Sequence, residues 1–315
     1  MEKILLGISA CLIGQKVRYD GGHKHDSYIV ETLGRYFEFI PVCPEAEAGL
    51  GIPREPMRLE GDPAQPRLVT IKTGRDMTDV VRDWAGPRLD ELAKLDLYGF
   101  IFKSRSPSSG MERVPIHRDG MPPLRAGTGI FARAFMDRFP QLPTEEEGRL
   151  QDPGIRENFI ERVFTLRRWR ESVADGMDTT RLIEFHTAHK LLVLSHGTEK
   201  YREMGRLVGV AKGMGMAELY GRYQELLMDS LRATATPGRH ANVLMHIMGY
   251  FKKLLTSEEK QELLESIENY RKGNLPLIVP VTLVNHYTMR YDEHYLKGQY
   301  YLHPHPVELR LRNHS

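Results

Sequence analysis

The chain opens with an apolar run, Ile4 to Ile8, that stops in Ser9-Ala10-Cys11. Two later runs stop in the same manner: Phe39 to Val42 runs into Cys43-Pro44-Glu45, and Tyr98 to Phe102 runs into Lys103-Ser104-Arg105-Ser106-Pro107-Ser108-Ser109-Gly110. Short apolar stretches closed by turn residues read as buried strands. Between them the period lengthens. Asp26 or Ser27 is placed to cap a helix through Leu33 and Phe37, and a helix starting at Thr78 sets Val81, Trp84, Leu92 and Leu95 toward a sheet, with Pro87 expected to kink or split it. Leu68 to Ile71 gives a further short strand, and a helix runs from Thr128 through Ile130, Phe131, Ala134 and Phe135. Residues 46–66, rich in Gly and Pro, are expected to fold irregularly over the strand tips. Alternation of this kind predicts an α/β domain with a mostly parallel sheet and flanking helices.

The pattern changes after Pro140. Pro143, the acidic run Glu145 to Glu147, Gly148 and Pro153-Gly154 break any apolar period, so this stretch reads as a linker between domains at 1–145 and 154–315. Beyond it the period is helical: Ile155, Phe159 and Val163, then Leu182, Phe185, His189 and Leu192, then Val243, Ile247, Tyr250 and Leu254. Thr256 with Glu259 forms a capping box and Gly273 ends that helix. An all-α domain is expected, closed by a less regular tail at 300–306.

Composition adds limits. The 315 residues are 41% hydrophobic and 27% charged, with a formal net charge of +2, which is the profile of an ordinary globular protein. No segment reaches the ~18 apolar residues of a membrane span. With no basic leader at the amino terminus and only two cysteines, Cys11 and Cys43, a reducing, cytoplasmic setting is expected. Basic residues in the second half, Arg167, Arg168, Arg170, Lys252, Lys253, Arg290, Arg310 and Arg312, are candidates for RNA phosphates if they share one surface. His186, His189 and His196 share a helix face with Leu182, Phe185 and Leu192. No Cys or carboxylate completes a ligand set, so satisfied core histidines are expected rather than a metal site. His240 and His246 have no assignable role.

In an open parallel sheet the carboxyl ends of the strands line one crevice, so thiol, carboxylate and hydroxyl groups at three tips suggest a site. Taken singly, each has an ordinary reading: the cysteines as small core residues, Glu45 as a helix cap, the serines as a turn. Together, Ser9-Ala10-Cys11-Leu12 with Gly14, Arg18-Tyr19-Asp20-Gly21, Cys43-Pro44-Glu45 with Gly49, Pro53-Arg54, Gly74-Arg75-Asp76-Met77-Thr78 and the Ser-Pro-Ser-x-Gly loop resemble the thiouracil and 4-thiouridine desulfidase family over the first half of the chain. The second half resembles the YbgA-type helical domain found fused to it.

The resemblance implies a [4Fe-4S] cluster held by three cysteines, with Cys11 and Cys43 as two of them. Ser109 stands where the family has the third, so the chain as written is expected to assemble a cluster poorly and to be inactive. The intact neighbours Glu45 and Ser106 favour a Cys-to-Ser variant over natural loss. Glu45 and Ser106 are implied as catalytic residues, and Arg18, Tyr19, Arg54 and Ser108 as substrate contacts. The implied reaction is non-redox desulfidation of a thiolated pyrimidine. The fusion points to 4-thiouridine in tRNA, presented by the helical domain, as the substrate. A noncatalytic tRNA-binding protein and a desulfidase of free thiouracil are the alternatives. The oligomeric state is not legible.

Overall fold

The structure is a computed structural model that describes residues 2–313. The chain divides between Gln151 and Asp152 into two compact units. The first contains strands β1 (Ile4–Ser9), β2 (Phe37–Val42), β3 (Met57–Glu60), β4 (Arg67–Thr70), β5 (Phe100–Phe102), β6 (Val114–Arg118), β7 (Met121–Gly127) and β8 (Thr144–Glu146), with helices α1 (Pro44–Glu47), α2 (Thr78–Ala93) and α3 (Ile130–Arg138).

The predicted parallel sheet is present, in the order β2-β1-β5-β8, every pair parallel. The two central strands, β1 and β5, are continuous apolar runs because both their faces are covered. Phe100 and Phe102 pack on Phe131 and Phe135 of α3, with the Phe100 and Phe135 ring centroids 4.7 Å apart. Gly7 of β1 lies under the Phe100 ring, where a Cβ would come within 2.2 Å of a ring carbon. Only glycine allows that approach.

A second sheet, β4-β3-β6-β7, was not expected. Residues 46–66 are not irregular throughout, since they hold β3, which pairs antiparallel with β4 and parallel with β6. The β6–β7 hairpin lies between Gly110 and Thr128, where no regular element was expected. Leu59, Leu68, Val81, Val114 and Ile116 form the core beneath this sheet. β3 and β4 supply one of these apolar residues each, β6 two and β7 none, too few to register as a period. The segment after Asp26 is also not an α-helix. Asp26 accepts from the Ile29 amide at 3.0 Å, but the chain makes a π-helical turn at Tyr28–Thr32 and a 3₁₀ turn at Leu33–Arg35. Helix α2 runs through Pro87 unbroken and buries Val81, Ala85, Leu89 and Leu92, whereas Leu95 lies beyond its end and is exposed.

The second unit is helical: α4 (Pro153–Ala174), α5 (Thr179–His196), α6 (Thr198–Gly209), α7 (Met216–Ser230), α8 (Pro237–Tyr250), α9 (Ser257–Arg271), α10 (Ile278–Arg290) and α11 (His294–Lys297), followed by two 3₁₀ turns. Side-chain caps fix the starts of four helices, from Asp152, Asp178, Thr236 and Thr256, the last completing its capping box with Glu259. Trp169 is buried among Phe185, Tyr220 and Tyr223, and its indole N–H donates to Gln224 Oε1 at 2.7 Å. Among the described residues no helix is long and apolar enough to cross a membrane.

Candidate active site

The three strand tips singled out by sequence belong to adjacent strands of the parallel sheet, so they open at one edge. After β1 the chain makes a 3₁₀ turn, Ala10–Ile13, closed by Gly14 at φ 89°. Cys11 sits on this turn. After β2, Cys43 is extended and precedes α1, with Pro44 at the first helical position, where its missing N–H costs nothing. The Cys43 amide donates to Glu47 Oε1 at 2.8 Å. After β5 the backbone amide of Lys103 donates to Ser9 Oγ at 2.8 Å, which ties the third tip to the first.

The serine loop is held by α3 and β8. The amides of Phe131 and Ala132, at the open end of α3, donate to the Ser108 carbonyl at 2.9 and 3.1 Å, so the loop satisfies donors that a helix start leaves unpaired. Gly129 permits this packing, since a Cβ there would lie 2.4 Å from the Ser108 carbonyl carbon. Glu147, just past β8, accepts from the Ser104 amide at 2.6 Å and from the Lys103 ammonium at 2.5 Å, while Glu146 accepts from the Met111 amide at 2.7 Å. Burial raises the Glu146 pKa above the ordinary carboxylate value. These acids lie in the segment read as a linker; β8 is in fact an edge strand, and its carboxylates clamp both ends of the loop.

A cavity of about 380 Å³ lies at the tips. Cys11, Cys43, Glu45, Ser106, Ser109, Arg18, Tyr19 and Arg54 all line it, so eight of the nine residues picked from sequence come together. Ser108 is the exception. It was expected to touch substrate, but it is fully buried, and its hydroxyl donates to Glu45 Oε1 at 2.5 Å. Its place is behind Glu45. The other carboxylate oxygen, Oε2, faces Cys43 Sγ at 3.5 Å and Arg54 Nη2 at 3.6 Å. Arg54 also donates through Nη1 to the Val17 carbonyl at 2.9 Å, and its buried Nε has no acceptor. Ser106 Oγ accepts from the Ser109 amide at 3.1 Å and lies 3.1 Å from Ser108 Oγ. A chain of hydroxyls therefore runs from Ser106 through Ser108 to the carboxylate.

Both thiols are buried and resist ionisation. Desolvation pushes Cys11 up to about 11 and Cys43 up to about 12, the latter also through the nearby Glu45 carboxylate. Among the described residues no group of three His, Cys, Asp or Glu side chains is placed to hold a metal ion.

In the helical unit His186, His189 and His196 are buried and hydrogen-bonded. The ring of His189 stacks on Phe185 at 3.8 Å; its Nδ1 meets the Phe185 carbonyl at 2.8 Å and its Nε2 accepts from Arg168 Nε at 3.0 Å. His186 meets the Tyr223 hydroxyl at 3.2 Å. His196 lies between the Ala233 carbonyl and Glu161 Oε1, each at 2.6 Å. Two residues expected to contact RNA do not fit that role. Arg312 is buried against Glu157 at 3.1 Å and Glu161 at 3.6 Å, and Arg168 donates to the Pro304 carbonyl at 2.8 Å with its guanidinium over Tyr300. Arg167 pairs with Glu171 and Arg290 with Glu259.

Comparison with known proteins agrees with this division. Residues 6–147 match the family model described as 2-thiouracil desulfurase, and residues 190–306 match that described as a protein of unknown function, DUF1722. The uncharacterized protein YbgA of Escherichia coli (strain K12) is 32% identical over 153 residues, which are 48% of this chain and 90% of the relative. The uncharacterized protein YbbK of Bacillus subtilis (strain 168) is 28% identical over 108 residues, covering 33% of this chain and 71% of the relative. A solved structure, that of the [4Fe-4S]-dependent thiouracil desulfidase TudS, is 30% identical, covers 48% of this chain and 95% of its own, and has a TM-score of 0.40. The chain thus belongs to the YbgA-like family, and its first unit carries a match to the 2-thiouracil desulfurase model.

Proposed function

We propose that the chain is a desulfidase that replaces the sulfur of 4-thiouridine in tRNA with oxygen, giving uridine and sulfide without net electron transfer, in the cytoplasm, and that Ser109 arrests it. The observation that carries this reading is the meeting of two buried strand-tip thiols with a half-buried, hydrogen-bonded carboxylate on one cavity.

The [4Fe-4S] cluster used by the related TudS is a group held by thiolates. This cavity supplies two thiols and, at the third position, the hydroxyl of Ser109, which is buried and 3.4 Å from Ser108 Oγ. A hydroxyl is a far weaker acid than a thiol, so the residues present do not fit a three-thiolate cluster. What these residues do supply is acid–base chemistry and binding. Glu45 is positioned to take a proton from water as the water adds to the pyrimidine carbon that bears sulfur, and Ser108 and Ser106 offer a route for that proton. The open donor of Arg54 suits a pyrimidine carbonyl oxygen. Water contributes the oxygen and two hydrogens, and sulfur departs as hydrogen sulfide or its anion.

The test is anaerobic iron-sulfur reconstitution of this chain beside Ser109→Cys, followed by mass analysis of nucleosides from thiolated tRNA. The expected outcome is colour and loss of 4-thiouridine only with Ser109→Cys. A variant that binds iron and leaves 4-thiouridine intact would instead support a noncatalytic tRNA-binding protein, the second reading that Ser109 itself favours.

A further inference from the structure

A second cavity, of about 350 Å³, is lined entirely by residues of the helical unit. The exposed residues Asp152, Pro153, Thr234 and Pro237, at the starts of α4 and α8, form its mouth. Its floor is made by the buried Glu157, Glu161, His196, His240 and Tyr270, and Ala235 and Leu277 complete apolar walls. A concave site of this size, with apolar walls and a few convergent polar groups, has the build of a small-molecule pocket.

The charge on the lining is of one sign. Asp152, Glu157 and Glu161 bring carboxylates, and among the described residues no lysine or arginine lines the cavity. Glu161 is met from behind by two cations, His196 Nε2 at 2.6 Å and Arg312 Nη2 at 3.6 Å. The other ring nitrogen of His196 also faces an oxygen, the Ala233 carbonyl, so both nitrogens donate as in an imidazolium. Glu157 shares Arg312 with Glu161, through Nε at 3.1 Å, while Nη1 of the same guanidinium donates to the Tyr301 carbonyl. One cation divided in this way leaves burial dominant, and burial raises the Glu157 carboxyl to about 7.

An independent feature lies beside it. Tyr270 is 6% exposed and its ring meets that of His240 edge-on at 6.1 Å, yet its hydroxyl has no hydrogen-bond partner among the described residues. Buried hydroxyls are normally paired, so this one, on the cavity floor, is placed for a group that enters from outside.

A carboxylate or phosphate would meet like charges here. An ammonium group supplies the positive charge for which Glu157 otherwise keeps a proton, and its three donors suit the Glu157 carboxylate and the Tyr270 oxygen together. From this juxtaposition we infer that the helical unit holds a binding site for a protonated aliphatic amine, its head between Glu157 and Tyr270 and its stem against Pro153, Pro237 and Leu277.

Isothermal titration of the full chain with butylamine, and with 1-butanol as the uncharged isostere, tests the site. At pH 8 the amine is expected to bind at least about tenfold more tightly than the alcohol, the worth of a hydrogen bond to a charged group. The amine stays protonated across the neutral range, so its affinity should follow ionisation of Glu157: about tenfold weaker at pH 6 than at pH 8, with about one proton released on binding at the lower pH. Arg312, Glu161, His196, Tyr270 and Tyr301 face Glu157, and His240 lines the same cavity. Glu157→Gln leaves all of them in place and is expected to abolish both the preference for the amine and its pH dependence. Tyr270→Phe removes only the hydroxyl and should weaken the amine by about threefold to tenfold. Ala235→Trp, at a half-buried lining position outside the ionic cluster, is expected to shut out both ligands and keeps the test open if Glu157→Gln does not fold. An amine that binds no better than the alcohol, ignores pH between 6 and 8, is indifferent to Tyr270→Phe, keeps its preference in Glu157→Gln or still enters Ala235→Trp overturns the site.

Discussion

The Ser108 hydroxyl donates to Glu45 Oε1 at 2.5 Å, a contact between residues 63 positions apart that joins the tip of β5 to the tip of β2. Ser108 is fully buried, so nothing replaces its donor if it is lost. Ser108→Ala should destabilise the first unit by about 1–3 kcal/mol, the worth of a hydrogen bond to a charged group. In the Ser109→Cys background it should also lower desulfidation by about tenfold through a loosened Glu45. Denaturant unfolding and single-turnover assays read the two effects, and a variant with unchanged turnover would show that Glu45 needs no such support.

Glu45 should matter more. A single acid or base typically contributes about 100-fold to 10,000-fold, so Glu45→Gln in the Ser109→Cys protein should lose most of its turnover while keeping its iron. Activity within a few-fold of the parent would remove Glu45 from the reaction.

Arg312 makes a separate test of the helical unit. It is buried between Glu157 and Glu161, and its Nη1 donates to the Tyr301 carbonyl at 2.6 Å. Replacing one member of a buried ionic group leaves the others uncompensated, so Arg312→Met should cost about 3–5 kcal/mol. Thermal unfolding measures this. A stable variant with weakened RNA binding would restore the role first expected for Arg312.

Glu157 gives that cluster a pH dependence. Burial raises its carboxyl to about 7, opposed by Arg312 and assisted by Glu161, with His196 and Tyr270 alongside. The fold keeps a proton that the unfolded chain has already released. Its contribution is therefore present below the ordinary value of 4.5 and is lost as pH rises from there through about 7. The loss is at most about 3 kcal/mol. Buried His186 and His305, held down to about 4 by desolvation, act in the opposite sense: their contribution is present above 6.5 and is lost as pH falls toward 4. Comparing the parent with Glu157→Gln cancels the histidines, and the Tm of the variant should rise relative to the parent between pH 5 and 8. A constant difference would mean that Glu157 is already ionised in the fold.

Of the residues that line the cavity, Cys11, Cys43, Glu45, Ser106 and Ser109 were legible before the fold, because each follows the end of an apolar run and strand ends in a parallel sheet share one edge. Composition and period likewise separated an α/β half from an all-α half. The second sheet was hidden because β3 and β4 have only four residues each and β6 and β7 are broken by prolines, so no period-two signal builds up. The acidic run at Glu145–Glu147 looked solvated, and only strand pairing with β5 turns it toward the serine loop. Ser108 and Ser109 are neighbours of one chemical type, and nothing local tells which will face the cavity and which will support Glu45. Sequence fixes which groups stand at the strand tips, through local hydrophobicity and turn chemistry. Which of them are buried, paired or left open depends on contacts between distant residues, and those exist only once the sheet has closed.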